Sequence, residues 1–493
     1  MDGTKEELVS LKPLTHKIDI QQLKNSDVIL NHSKSGSVKF LCSGKLLQIL
    51  ATIFGALATF TTGQLMGWVS PSVPILQSAE SPIPGGVTSS QASWIASMVM
   101  VGNMVAVPWV AFTVDIIGRK KAILLSSLPV FISWFLIYQA TSVEMLYLAR
   151  FVGGIGETYG KATMFMYVGE ISEASIRGAL GSILVCTLNL GIFYEYAFGP
   201  YVSYQSLAWI SGLVPLLLLA TFVWMPESPY YYVLQNKTAH ARRALIRLRG
   251  TNDVDSEMRE IRGMIDQRLG YMEGFRELFG NRINLKCWLL MCGCFFSQEL
   301  SGITPNIMYA KTILEDCHLG GIPPELAPIF IPFLKIIATL LTMVLVDKTG
   351  RRPLFMISTS SCSFAMASMS IFFYCKAYTD YDLSSYEWIP LTMMLFFNVM
   401  FIFGLGCLPF IMIGELFPSN IKAIAVCLTA LCGPLSSVVA TKMFQILSDN
   451  FGGVHVSFGA YSICCLISFV FVTTMLPETK NRTLAEIQQS LKK

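Results

Sequence analysis

Apolar residues in this chain gather into long runs separated by short polar segments, at about residues 47–69, 92–114, 121–140, 143–168, 179–200, 207–225, 286–309, 327–346, 354–375, 388–413, 421–447 and 455–476. A helix crossing a bilayer needs about 20 residues. Each run has that length, which is too long for β-barrel strands. The pattern predicts an all-α membrane protein of twelve transmembrane helices. The loop from Pro226 to about residue 285 divides them six and six. The expected organisation is a cytoplasmic tail (1–44), a six-helix bundle (45–225), a cytoplasmic linker of short helices (226–285), a second six-helix bundle (286–476) and a cytoplasmic tail (477–493). No cleavable signal pattern precedes the first run.

Composition agrees: 53% of the 493 residues are hydrophobic and 14% charged, against about 25% charged in soluble domains. Net charge is only +4, so no global field argues for nucleic acid. Where the charges sit is more informative. If the spans alternate from a cytoplasmic start, 30 of the 36 Lys and Arg fall in cytoplasmic tails and loops, and only Lys311 and Lys376 fall outside. That asymmetry sets the orientation. Thirteen cysteines lie almost entirely within spans, with no CxxC or Cys/His ligand spacing, so they read as small buried hydrophobes. Cys317 and Cys375 alone could meet outside. The five His are scattered, and neither a metal nor any other cofactor is expected.

Short motifs recur in the same order in both halves. Asp115-Ile-Ile-Gly118-Arg119-Lys120 after the second span is matched by Asp347-Lys-Thr-Gly350-Arg351-Arg352 after the eighth. Gly169-Glu170 with Arg177 is matched by Gly414-Glu415 with Lys422, and Pro226-Glu-Ser-Pro by Pro477-Glu-Thr-Lys. Ordered pairs at nearly constant offset mean two related six-helix halves, which suits alternating access between them. Asp115, Glu170, Asp347 and Glu415 lie at cytoplasmic C-terminal helix ends, where the helix dipole disfavours an anion. Partners are expected from Arg119, Arg177, Arg351, Arg352 and Lys422, or from helix N-termini of the opposite half. Gly118 and Gly350 permit tight turns. The set reads as an ionic latch that forms when the cavity faces outward and breaks when it faces inward; static charges that only set topology are the alternative.

Charges inside the spans mark a polar interior, because ionisable groups at mid-bilayer are expensive. Glu157, Glu299 and Lys335 fall at a shared depth, about 18–20 Å from the cytoplasmic helix ends at 1.5 Å per residue. Glu299 and Lys335 are therefore a candidate pair. Arg150 and Glu195, on adjacent spans, are a second, and Lys161 follows Glu157 by four residues, the spacing of a same-face pair. Lys442 is near an outer end and can snorkel. A structural ion-pair network, a proton relay and a site for a charge-bearing solute all remain open. Gly153-Gly154-Ile155-Gly156 lacks the strand of a nucleotide loop and reads as helix packing.

With these motifs in place, the chain resembles the sugar porter branch of the major facilitator superfamily from the first span to Ile487. The residues that carry the likeness are Asp115 to Lys121, Arg150 with Gly154 and Gly156, Met166-Tyr-Val-Gly-Glu170 through Arg177-Gly178, Pro226 to Pro229, Gln298 with Leu300-Ser-Gly-Ile303, Asp347 to Arg352, Gly414-Glu-Leu-Phe417, and Pro477 to Lys480 with Arg482-Thr-Leu484. Ser93-Trp94-Ile95 and Thr441-Lys442 with Phe444 are similar to the insect facilitated trehalose transporter group. The resemblance implies a two-bundle plasma-membrane transporter whose central cavity binds carbohydrate hydroxyls through amides and aromatics. Several of those positions are altered: Val185, Glu299, Thr304, Lys335, Phe410, Leu431 and Cys432 stand where the family has amides or tryptophan. Gln298 is the amide that remains, and Asn189 and Asn306 join Gln298, Glu299, Thr304, Lys335 and Phe410 as cavity candidates. Leu65 occupies the position of the aspartate of proton-coupled members, which favours facilitative transport. Ala111 and Met343 replace family glycines, and Phe165 a proline. Gly404, Gly406 and Pro409 are expected flexible points.

The expected function is secondary transport of a small polar solute, a hexose or trehalose first. A non-sugar or charged organic solute acting on Glu299 and Lys335, or a non-transporting sensor, are the alternatives. No nucleophile, base and orienter share a depth, so an enzyme is not expected. Partners are the solute and the bilayer.

Overall fold

The computed structural model describes residues 44–267, 270–315, 323, 326–380, 382–418, 420–480, 482 and 486. The N-terminal tail and Cys317 lie outside them, as do the side chains of Met343 and Asp347. Among the described residues the regular structure is helical, and helices occupy all twelve expected runs. Among the described residues, nine spans are long and apolar enough to cross a membrane by length and composition. The other three have plain reasons. Glu144, Arg150, Glu157, Lys161 and Glu170 load the fourth (Val143–Ile171), the seventh is broken, and the apolar part of the eighth is the shorter Ala327–Thr342.

Helix starts follow local chemistry. Thr88 and Gln91 close a reciprocal capping box at the head of the second span, Ser89–Ile117, while Ser142 and Ser203 cap the fourth and sixth spans through Met145 and Ser206 N–H. Glycines set the closest crossings. A Cβ on Gly102 would fall 2.2 Å from Phe151 O and one on Gly154 2.1 Å from Val99 O, so the second and fourth spans touch backbone to backbone. Such contact replaces the missing hydrophobic drive between helices in lipid.

Four spans are jointed, each just before a proline. The first runs as Gly44–Gly55, Leu57–Gly67 and Val69–Gln77, eight residues beyond its expected end at 69, with Pro71 in the first turn of the last piece. There a missing N–H is harmless. The seventh runs Arg282–Glu299, then turns through Gly302 (φ 88°) into Ile303–Met308, with Pro305 in its first turn, and Ala310–Glu315. The tenth is split into Ile389–Phe403 and Leu408–Leu416 around Gly404 and Gly406, with Pro409 at the second helical position. Leu431 joins the two pieces of the eleventh, Lys422–Ala430 and Cys432–Asn450, three residues before Pro434. Between the sixth span and Arg282 lie four short helices: Pro229–Leu234, Thr238–Arg249, Asp255–Asp266 and Tyr271–Gly280.

Candidate functional site

Each copy of the repeated motif is fastened within its own half. Gly118 (φ 96°) and Gly350 (φ 98°) end one helix and start the next, Arg119–Tyr138 and Arg351–Tyr378, with no side-chain cap of their own. The orphan N–H groups point instead at a carboxylate from the Pro-Glu motif. Glu227 Oε1 accepts from Arg119 and Lys120 N–H, both at 3.0 Å. Glu478 accepts from Arg351 and Arg352 N–H, both at 3.1 Å. A carboxylate at a helix N-terminus is favoured by both hydrogen bonding and the macrodipole. Both glycines are required here twice over, by positive φ and because a Cβ on Gly118 would lie 2.4 Å from Glu227 Oε2.

The two caps differ in their titration. Burial pushes the Glu227 carboxyl above its ordinary value despite the backbone donors and the nearby Arg119. Burial also acts on Glu478, but the N–H groups of Lys480, Arg351, Arg352 and Thr479 outweigh it and hold that carboxyl below the usual range.

Around the N-terminal cap, Arg119 is almost fully buried, with Nη1 3.1 Å from Asp115 Oδ1 and Nη2 2.9 Å from Glu170 Oε1. Ser228 Oγ donates to Glu170 Oε2. In the second copy, Arg351 Nη2 lies 3.0 Å from Glu415 Oε1, Arg352 Nη2 donates to Thr473 O, and Lys422 Nζ donates to Gly414 O at 3.1 Å. Arg177 turns to Ser172 O at 3.2 Å. Of the two kinds of partner expected for the latch acids, arginines are the ones seen here, while the helix N-termini take Glu227 and Glu478 of their own half. Arg119 for Asp115 and Glu170, and Arg351 for Glu415, are partners from the same half. Spacing alone pointed to the repeated Glu without showing that it caps a neighbouring helix.

At mid-depth the charges form one of the three expected pairs, Glu157 with Lys161, and not the other two. Lys161 Nζ sits 2.9 Å from Glu157 Oε1. Arg150, fully buried, does not form the ion pair expected with Glu195; Nη1 donates to Leu65 O at 2.6 Å, Nε to Ile95 O at 3.3 Å, and the guanidinium lies 5.2 Å from the Trp68 ring. Glu195 accepts from Ser211 Oγ at 2.7 Å. Glu299 and Lys335 form no ion pair within 4.0 Å. Thr304 Oγ1 donates to Glu299 Oε2 at 2.8 Å and is held in turn by Ser437 Oγ at 2.8 Å. The Lys335 ammonium is buried, 5.9 Å from the Phe401 ring centroid. Glu299 and Lys335 lie at mid-depth in the C-terminal half, and the Glu157–Lys161 pair at mid-depth in the N-terminal half. Asn306 Oδ1 accepts from Asn398 Nδ2 at 2.9 Å, and Asn189 Nδ2 turns back to Val185 O. Phe410 is exposed and packs edge to face on Phe295 at 5.1 Å. Gln298 is buried, and its amide has no hydrogen bond to the protein among the described residues. Sequence reasoning missed Asn398 and Ser437, which lie in apolar stretches without a motif.

Contacts between the halves concentrate at the end opposite the motifs. Tyr196 OH donates to Ile307 O and Lys311 N–H to Ser70 Oγ. Second and eleventh spans are clasped there: Lys442 Nζ lies 2.7 Å from Ser93 Oγ and 4.0 Å from the Trp94 ring centroid, Ser93 Oγ donates to Gln445 Oε1 at 3.2 Å, and Ser89 Oγ to Asp449 Oδ2 at 2.8 Å. Lys442 therefore does not simply reach for the interface. Among the described residues, these hydrogen bonds between the two six-helix halves all lie at this far end.

Two six-helix bundles hydrogen-bonded to each other at one end, with polar groups at mid-depth in both, make the two-bundle architecture of the major facilitator fold. The structure described as "Inward open conformation of the xylose transporter XylE from E. coli" overlays with a TM-score of 0.74, covering 89% of this chain and 98% of that one at 19% identity, which establishes the fold. The profile described as "Sugar (and other) transporter" matches residues 36–491, and the chain belongs to that family. It is similar to the "Facilitated trehalose transporter Tret1" of Drosophila mojavensis, 29% identical over 451 residues, 90% of this chain and 51% of that protein. The protein of the same name from Bombyx mori is 28% identical over 452 residues, 90% of this chain and 86% of that one. The chain spans about half the length of several curated relatives that it matches.

Proposed function

We propose that this protein is a facilitative carrier of a small hydroxylated solute, a hexose or trehalose, working by alternating access with the motif end in the cytoplasm and the chain in the plasma membrane. The observation that carries the reading is that the hydrogen bonds between the halves lie at one end. Far-end hydrogen bonds join them while each motif copy is fastened within its own half, as a state open at the motif end requires. Solute hydroxyls meet Gln298, Glu299, Thr304, Asn306, Asn189, Lys335 and Phe410, and the motif-end residues act as the gating network. Facilitative rather than proton-coupled carriage follows from Arg150: it spends its hydrogen bonds on the carbonyls of Leu65 and Ile95, leaving no carboxylate bonded to it whose protonation would drive the cycle.

The test is uptake of radiolabelled glucose and trehalose into proteoliposomes at two external pH values, with Asp115→Asn as control. Saturable uptake that is insensitive to pH and depends on Asp115 supports the reading. No uptake of either sugar by correctly inserted protein overturns it.

A second reading, a charge-bearing organic solute, is favoured by one observation: the buried Lys335 ammonium and the Glu299 carboxylate share a region without bonding to each other. Competition of uptake by sugar acids and amino sugars at equal concentration separates the two readings.

A further inference from the structure

The last of the four linker helices, Tyr271–Gly280, is joined to the seventh span by one residue, Asn281, whose side chain accepts from Ile283 N–H at 3.0 Å and caps that span. The helix has a packed face: Gly274 lies against the Ile424 side chain with no room for a Cβ, and Leu278 is fully buried. At about 100° per residue, Met272, Phe275 and Phe279 fall together beside that face, and they stay uncovered at 83%, 39% and 46% exposure. The Phe275 and Phe279 rings stack at 6.1 Å. Exposed Arg276 borders this apolar strip, while Glu273 and Glu277 lie beyond it. Glu277 Oε1 accepts from Asn281 and Asn284 Nδ2 at 3.2 and 3.3 Å.

The seventh span continues the strip toward the bilayer. Phe279 meets Trp288 edge to face at 5.5 Å. Leu289, next to Trp288, is 56% exposed and lies nine residues before Gln298, on the opposite face of the helix, so it points away from the cavity candidates and toward lipid. Arg282 and Lys286, both exposed, precede Leu289 by seven and three residues on that same face. Two basic side chains followed by an exposed leucine mark where headgroups give way to hydrocarbon. Tyr271–Gly280 therefore sits at headgroup level at the motif end, with an uncovered apolar strip edged by positive charge, the pattern of a helix lying in the interface. The opposite half or a second copy of the chain could cover the apolar strip, but neither accounts for Arg276, Arg282 and Lys286 beside it. An anionic leaflet accounts for both.

We propose that Tyr271–Gly280 is an interfacial anchor: Met272, Phe275 and Phe279 insert at the boundary of headgroups and acyl chains in the motif-end leaflet, and Arg276, Arg282 and Lys286 hold anionic phospholipid headgroups there. Through the contact of Gly274 with Ile424 the anchor also grips the first piece of the eleventh span, two residues past Lys422. The leaflet thus holds the C-terminal half at the end where the motifs lie. Each basic side chain near an anionic surface favours a charged lipid about five-fold. The inference rests on the chain spanning a bilayer and not on which solute it carries.

The experiment uses the full chain in proteoliposomes of phosphatidylcholine with a minor share of phosphatidylserine, the photocrosslinker benzoylphenylalanine replacing Met272, Leu289 or Ser256 in turn. Leu289 sets the yield for a lipid-facing position, and Ser256, exposed on Asp255–Asp266, the yield for a water-facing one. Adducts are identified by mass spectrometry after illumination. The expected result is phospholipid bound at Met272's position at a yield close to that of Leu289's and well above that of Ser256's, with phosphatidylserine about two- to five-fold over its share of the vesicle. Arg276→Gln/Arg282→Gln should keep the adduct and reduce the enrichment. A lipid yield at Met272's position no higher than at Ser256's overturns the anchor, as does a crosslink from it to the N-terminal half or to a second chain. An adduct without preference for phosphatidylserine, or a preference unchanged by the double substitution, overturns the anionic headgroup site.

Discussion

Replacing Lys442 with methionine tests the far-end clasp. The ammonium sits 4.0 Å from the Trp94 ring centroid and 2.7 Å from Ser93 Oγ. A partly exposed cation–π contact contributes about 0.5–1 kcal/mol, and a hydrogen bond from a charged donor about 1.5–3 kcal/mol when desolvated. Trp94 and the rim of the cluster are exposed, so solvent screening brings the combined loss down to about 1–2 kcal/mol. That is about a 5–30-fold shift of the equilibrium away from the motif-open state. Methionine keeps the aliphatic bulk of the side chain, which limits the change to the charge. The assay is a pair of half-saturation constants in vesicles of defined orientation, one for solute added at the far end and one for solute inside. Apparent affinity scales with the fraction of protein in the competent state. The far-end constant should therefore fall by up to the full factor, while the motif-end constant rises once the far-open state becomes a substantial share. Both constants moving the same way, or neither moving, refutes the clasp, because damage to the solute site would raise them together.

The duplicated caps should respond unequally to acid. Glu478 has its carboxyl held low, so its contribution is complete above the unfolded value and is lost as pH falls through the lower folded value. Glu227 is shifted up, so its charged form is disfavoured at neutral pH and the penalty is relieved as pH falls through the raised value. Thermal unfolding in detergent should show Glu478→Gln costing about 1 kcal/mol or more at neutral pH and Glu227→Gln costing less; the reverse order would contradict the assignment. Gly118→Ala should destabilise the N-terminal cap by more than a helix-interior Gly→Ala change, since it combines φ 96° with a 2.4 Å approach to Glu227, read as a lowered unfolding temperature that Glu227→Ala partly restores. Lys161→Met alone should destabilise more than the Glu157→Gln/Lys161→Met double change, because the single change leaves a fully buried carboxylate without its partner. Glu299→Gln and Lys335→Met should add in uptake assays, and strong coupling between them would show that they pair directly.

Much of this molecule was readable from one-dimensional pattern, and the reason differs by feature. Spans are legible because each must satisfy its own backbone in lipid, which forces long apolar runs. The turns at Gly118 and Gly350 are legible because a positive φ selects glycine. Side-chain partners are not, because they depend on which spans touch. Arg150 looked in need of an acid, yet its hydrogen bonds go to two backbone carbonyls on different spans, and carbonyls leave no trace in composition. Glu227 and Glu478 stood out as repeats but gave no sign of whose N–H groups they cap. The lengthened first span was hidden by Pro71 and Pro74, usually taken as helix ends, although Pro71 sits in a first turn where no N–H is missed.

Prolines also explain where the two halves differ. In the N-terminal half Pro108, Pro129 and Pro215 lie inside continuous helices, and its joint before a proline is in the first span. The C-terminal half places three such joints around one region: residues 300–302 before Pro305, 404–407 before Pro409, and Leu431 before Pro434. Glu299, Phe410 and Cys432 stand beside those joints. A joint has lost helix hydrogen bonds already, so bending there breaks few more. Relative motion of the halves is then shared between rocking and local bending of the seventh, tenth and eleventh spans, with the second to sixth acting as the stiffer partner. On that division of labour, a disulfide engineered between the second and fourth spans, already in backbone contact at Gly102 and Gly154, should leave uptake unchanged.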